Sequence, residues 1–171
     1  RERERGTMEN LLATPVRPLE VMVGKIAPYI LIGYLQIGLI LLAARALFEV
    51  PMQGSLTLLL GFIGVFVVAN LAVGFTFSTL ARNQLQAMQM TFFFFLPSLL
   101  LSGFMFPFRG MPQWAQAIGE LLPLTHFLRI VRGILLKGSE APELLPELWP
   151  MLAFLAVAGA IALRRYRRTL D

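Results

Sequence analysis

From Ser55 to Ala81 the chain reads SLTLLLGFIGVFVVANLAVGFTFSTLA, 27 residues without one charged side chain. A helix needs about 20 mostly apolar residues to cross the hydrocarbon core of a bilayer, so this stretch alone points to lipid as the solvent. Three more segments meet the same test. Ile26 to Phe48 carries Gln36 as its one strongly polar interior residue, with Arg45 close enough to the end to reach headgroups. Leu85 to Phe106 is rich in Met and Phe and contains Pro97, which removes a backbone donor and predicts a kink. Leu148 to Leu163 is short and reaches full length only with the LLPE residues ahead of it; the basic run RRYRR, Arg164 to Arg168, stops it. The fold class is therefore all-α: a polytopic membrane helix bundle with four transmembrane helices.

Composition closes several other doors. Hydrophobic residues make up 57% of the 171 and charged residues 15%, well under the usual quarter of a soluble domain. There is no cysteine, hence no disulfide, thiolate metal site or thiol nucleophile. The net charge of +5 does not imply nucleic acid, because the basic residues gather at the two ends and beside apolar runs, where membrane topology accounts for them. With the N-terminus inside, ten basic residues (Arg1, Arg3, Arg5, Arg17, Lys25, Arg82, Arg164, Arg165, Arg167, Arg168) are cytoplasmic. Five (Arg45, Arg109, Arg129, Arg132, Lys137) lie opposite, which favours both ends in the cytoplasm. Arg1 is not a start residue and no secretory signal precedes the body, so the chain reads as part of a longer one.

The expected organisation is a cytoplasmic lead-in over 1–25, three spans over 26–106, short outer-face helices over 107–147, the last span over 148–163 and a basic tail over 164–171. Between the third and fourth spans, apolar residues recur at helical spacing: Trp114, Ala117, Ile118, Leu121, Leu122, then Leu124, Phe127, Leu128, Val131, Leu135. Prolines 107, 112, 123, 142 and 146 punctuate the segment. It reads as two amphipathic helices at the outer interface, joined at Leu122-Pro123-Leu124, each too short to cross. Gly61, Gly64, Gly74 and the alanines 156, 158, 160 and 162 allow close helix approach. Phe92 to Phe95 cover every side of a helix, so some face lipid and some the bundle.

Catalytic chemistry is nearly absent. His126 is the sole histidine and reads as a residue that caps or packs an interfacial helix. No HExxH, no Gly-x-Ser-x-Gly turn, no paired intramembrane carboxylates and no phosphate-binding loop occur, so the chain neither binds nor hydrolyses ATP by any recognisable motif and any energy comes from outside. Asn70, Thr76, Ser78 and Gln89 are the polar residues near a transport path, and helix-to-helix hydrogen bonds account for them as well.

The opening RERERGTMENLLATPVRP combines charge, capping and apolar pattern. Thr7 is a plausible N-cap, Glu9 falls in the first turn where the helix dipole favours an anion, and Pro15 stops the helix after about two turns. Met8, Leu11 and Leu12 form an apolar side. So short a helix needs an external surface to hold it. Anionic lipid is one such surface, which would make the chain a membrane scaffold or enzyme subunit; the mixed acidic and basic residues favour a protein groove. Pro18 then begins a lead-in helix, PLEVMVGK, that passes Pro28 into the first span.

ERERGTMENLLATPVRPLEVMVGK closely resembles the segment between the second and third spans of permease subunits of type 2 ATP-binding-cassette exporters. LSGFMFPFRGMPQWAQAIGELLPLTHFLRIVRGILLKG resembles the outer segment before their last span. The resemblance implies the last four spans of a six-span half-transporter of the drug-exporter-like branch, preceded by a first span, an external domain and a second span. It further implies a separate ATPase subunit holding ATP and Mg, a second permease half, and no cofactor on this chain. By position, Glu4, Arg5, Gly6, Thr7, Glu9, Leu12, Thr14 and Pro15 match the coupling helix that enters the ATPase groove. Pro123, Leu124, Thr125, Arg132 and Gly133 match the outer re-entrant hairpin, and His126 stands where an aromatic such as tyrosine is usual. The location implied is the bacterial inner membrane and the cargo an amphipathic, lipid-like or drug-like molecule.

Overall fold

Residues 18–167 are described by a computed structural model, and the proposed coupling residues, Glu4 to Pro15, lie outside that range. All regular structure among the described residues is helical. Helix α1 spans Pro18–Phe48, α2 Leu56–Leu80 and α3 Gln84–Leu101; the short α4 is Gln113–Gly119 and α5 is Pro123–Arg132, which widens into a π turn at Gly133–Lys137; α6 is Ala141–Arg167. Four of these, α1, α2, α3 and α6, are long and apolar enough to cross a membrane.

Each boundary has a local cause. Ser55 Oγ accepts the Leu58 N–H and opens α2. Asn83 Oδ1 accepts the Gln86 N–H while Gln86 Oε1 accepts the Arg82 N–H, a reciprocal cap that starts α3. Helix α3 ends at Leu101, five residues before the Phe106 expected from hydropathy, because the chain turns at Gly103, whose φ of +84° only glycine adopts without strain. Helix α1 differs in the other direction. The lead-in and the first span are a single helix running through Pro28.

Helix α6 likewise starts at Ala141, seven residues before Leu148, and takes in Pro142, Pro146 and Pro150. Pro142 sits in the first turn, where its missing N–H has no intrahelical partner to lose. The three prolines are spaced four apart and stack along one face, so what looked like punctuation is helix.

The bundle centres on α2 and α6. One core joins Leu59, Phe62 and Ile63 of α2 with Ile130 and Ile134 beyond them and Leu144 and Met151 of α6. A second joins Ala72 and Val73 to Ala158, flanked by Phe77, Phe94 and Phe154. Of the alanine ladder, Ala158 and Ala162, four apart, are the buried pair; among the glycines Gly64 does the packing, since a methyl there would collide with the Tyr34 hydroxyl that donates to the Leu60 carbonyl. Phe94 alone of the four consecutive phenylalanines turns inward, against Phe77 and Phe154. Large apolar side chains of α1 and α3, among them Leu31, Leu42, Phe92 and Phe93, are exposed. A lipid-facing surface leaves them so, because burying them against protein gains little over acyl chains.

Candidate functional site

The segment between α3 and α6 is a hairpin tucked into one end of the bundle. Pro123 occupies the first turn of α5 and is fully buried. The Thr125 hydroxyl, also fully buried, donates to the Gly119 carbonyl at 2.6 Å and pins the two short helices together. Gly119 is required there: a methyl would stand 2.5 Å from the Leu101 carbonyl oxygen and 2.7 Å from the Phe108 ring. Arg132 donates to the Gly103 carbonyl at 3.2 Å, and Gly133 is buried where a methyl would press on Leu144. Leu124 is half-buried and lines a lateral pocket. Pro123, Leu124, Thr125, Arg132 and Gly133 thus lie in one hairpin that touches α2, α3 and α6.

The buried face differs from the apolar stripe read in the sequence. Trp114, Ile118 and Leu121 point outward, and α4 presents its small residues Ala115 and Gly119 to the protein. On α5 the fully buried positions include Thr125, His126 and Ile130, whereas Phe127 and Leu128 are half-buried. The helix packs against both α2 and α6, so its polar Thr125 and His126 are enclosed while Arg129 and Arg132 keep access to solvent.

Four ionisable residues meet at this place, three of them not singled out by sequence. His126 Nδ1 lies 2.6 Å from Glu147 Oε2 of α6 and its Nε2 lies 2.8 Å from the Glu120 carbonyl oxygen. Arg129 donates two hydrogen bonds to the Glu120 carboxylate, at 2.5 and 3.1 Å, and a longer one of 3.4 Å to Glu147. The Arg129 hydrogen bonds hold the Glu120 carboxyl below the usual carboxylate range, against burial, which pushes it up. Glu120 in turn raises Arg129 above the ordinary guanidinium value. The Arg129 guanidinium also lies 4.8 Å over the Phe108 ring. The available signal was the spacing of His126 and Arg129, three apart on one helical face; the partner Glu147 comes from a different helix and has no local signature. Among the described residues no group of three His, Cys, Asp or Glu side chains is arranged to hold a metal ion.

Beside the hairpin, α2, α3 and α5 enclose a lateral pocket of about 440 Å³, walled by Phe66, Phe77, Phe94, Phe104 and Phe127 with Asn70 at its edge. Asn70 donates to the Phe66 carbonyl within α2, whereas Thr76 donates to the Ala72 carbonyl of its own helix and, at 3.4 Å, to the Ala158 carbonyl of α6, so of these two Thr76 joins helices. Ser78 and Gln89 are exposed.

Four long apolar helices, with a hairpin of short helices packed into one end of them, define an integral membrane protein of the polytopic helical class. Within that class, residues 1–136 match the ABC-2 type transporter family, and the chain belongs to it. It is 34% identical over 174 residues to the "inner membrane transport permease YhhJ" of Escherichia coli K12, covering 99% of this chain and 46% of that protein. It is 32% identical over 168 residues to the "probable multidrug ABC transporter permease YbhR" of the same organism, covering 98% and 46%. With the "linearmycin resistance permease protein LnrN" of Bacillus subtilis 168 it shares 24% over 165 residues, covering 96% and 43%. The chain spans about half the length of these relatives. No solved structure matches it.

Proposed function

We propose that this chain is the membrane-embedded C-terminal part of a permease subunit in an ATP-driven exporter, drawing its energy from a separate ATPase subunit. The observation that carries the reading is the sequence ERERGTMENLLATPVRP in a chain whose relatives are named as ABC transporter permeases. That stretch reads as a two-turn helix ended by Pro15, with an apolar side and mixed charges suited to a protein groove. Glu4, Arg5, Gly6, Thr7, Glu9, Leu12, Thr14 and Pro15 form the ATPase contact, on the cytoplasmic side of a bacterial inner membrane. Closure of an ATPase dimer on ATP moves this helix, and the spans of two permease halves rock to open a path outward. The hairpin of α4 and α5 lies at the outer end of that path. An amphipathic cargo suits the aromatic pocket beside it, whose walls are almost free of polar atoms.

Introducing Leu12→Asp or Glu9→Lys into the full-length subunit, expressed with its ATPase, tests the coupling. The expected result is loss of ATPase co-purification and of ATP-dependent cargo movement, with the permease still folded and membrane-inserted. Undiminished association and transport in both variants overturns it.

A further inference from the structure

Both ring nitrogens of His126 face oxygen atoms that only accept hydrogen bonds. Nδ1 is 2.6 Å from the Glu147 carboxylate and Nε2 is 2.8 Å from the Glu120 backbone carbonyl. A neutral imidazole donates from one nitrogen and carries a lone pair on the other, so either neutral tautomer would set a lone pair against an oxygen at hydrogen-bonding distance. The residue is 4% exposed, which leaves little water to relieve that contact. Two ring protons satisfy both oxygens. Arg129 Nη1 approaches the same Glu147 Oε2 at 3.4 Å, so that oxygen faces donors from two sides when the ring carries both protons.

We propose that His126 is a proton-binding site whose imidazolium latches the hairpin to the last transmembrane helix. With the proton bound, His126 and Arg129 balance Glu120 and Glu147 and the cluster is neutral; without it, one negative charge is left uncompensated beside the buried ring, with Glu147 partly and Glu120 largely open to solvent. The other elements packed on α5 do not alter that balance. Helices α2 and α3 contain no ionisable side chain, Arg132 is bound to the Gly103 carbonyl, Lys137 ends the π turn, and Glu143 is exposed one turn before Glu147 on α6. Release of the proton breaks one of the two His126 contacts. Because α5 also supplies Phe127 and Leu128 to the lateral pocket, the proton governs how firmly that wall is held. This latch is a property of the hairpin's own chemistry and does not depend on the exporter reading.

The test follows the imidazole and the hairpin together in the full-length protein in lipid nanodiscs. Histidine labelled with ¹⁵N, with His126→Gln used to assign the signal, reports ring protonation across a pH series, and amide hydrogen exchange over residues 120–132 reports the latch. The expected result is that both ring nitrogens carry protons wherever the hairpin is protected. Protection then falls about tenfold beyond the intrinsic pH effect as the ring loses its proton, about what one charge-assisted hydrogen bond is worth. A neutral ring in the protected hairpin, or protection that stays constant while the ring titrates, overturns the proposal. Both of those outcomes are read in the unsubstituted protein, so a misfolded variant does not protect it.

Discussion

The ring of Phe127 on α5 lies flat against that of Phe66 on α2, with centroids 4.0 Å apart and planes 4° from parallel. The packing of α2 against α5 brings the two rings into this stack, and dispersion between their faces supplies most of the attraction. Phe127→Ala is expected to lower the stability of the full-length protein by about 2 kcal/mol, the range of a partly buried aromatic truncation, while Phe127→Leu recovers most of it. Thermal unfolding in detergent reads the difference. Equal melting temperatures for the alanine variant and the parent would show that the stack does not secure the hairpin.

Gly119 and Gly61 make a paired prediction. Gly119 has the Leu101 backbone and the Phe108 ring where a side chain would go, whereas Gly61 has nothing within 4 Å. Gly119→Val is expected to abolish accumulation of folded protein, since a backbone oxygen cannot move aside as a flexible side chain can. Gly61→Val should leave it within about 0.5 kcal/mol of the parent. Size-exclusion profiles of the two variants distinguish close packing from a general intolerance of change.

Gly74 opens onto the aromatic pocket with no neighbour within 4 Å of an added Cβ. Gly74→Leu should therefore occupy part of the pocket without disturbing the fold. If amphipathic cargo uses that space, the variant keeps its melting temperature while ATP-dependent efflux of a bulky lipophilic dye falls several-fold in cells. Unimpaired efflux would place the cargo elsewhere.

The ion pair of Glu120 and Arg129 carries a pH signature. Glu120 is held below its ordinary value by Arg129, so its contribution to stability is fully present above the unfolded-state value of about 4.3 and is lost as pH falls through the lower folded-state value. The gap in melting temperature between the parent and Arg129→Gln should persist at neutral pH and shrink below about pH 4.3. A gap that stays constant to pH 3 would mean that Arg129 acts through its contact with Phe108 and not through the carboxylate.

The four spans were legible because a bilayer imposes a length and a composition on any helix that crosses it, and Ser55 to Ala81 satisfies both without help from neighbours. Their ends were less so. Gly103 turns the chain early because of backbone geometry, and Pro142 joins α6 because a helix's first turn has no N–H bond to lose there, whereas Pro146 and Pro150 lie inside the helix at the cost of a backbone hydrogen bond each.

Sequence alone determined the solvent, the number of helices long enough to cross it, the two short helices split at Pro123 and, through its motifs, the family. Those depend on local periodicity, charge and residue order, which the chain carries from end to end. Only the tertiary structure decided that Trp114 and Leu121 face outward while Thr125 and His126 are buried, and that Glu147, 21 residues beyond His126, closes on its ring. The physical reason is that α5 is enclosed on both sides by α2 and α6. Its polar face then finds partners on another helix, and one helix's periodicity does not encode where a second helix will place a carboxylate.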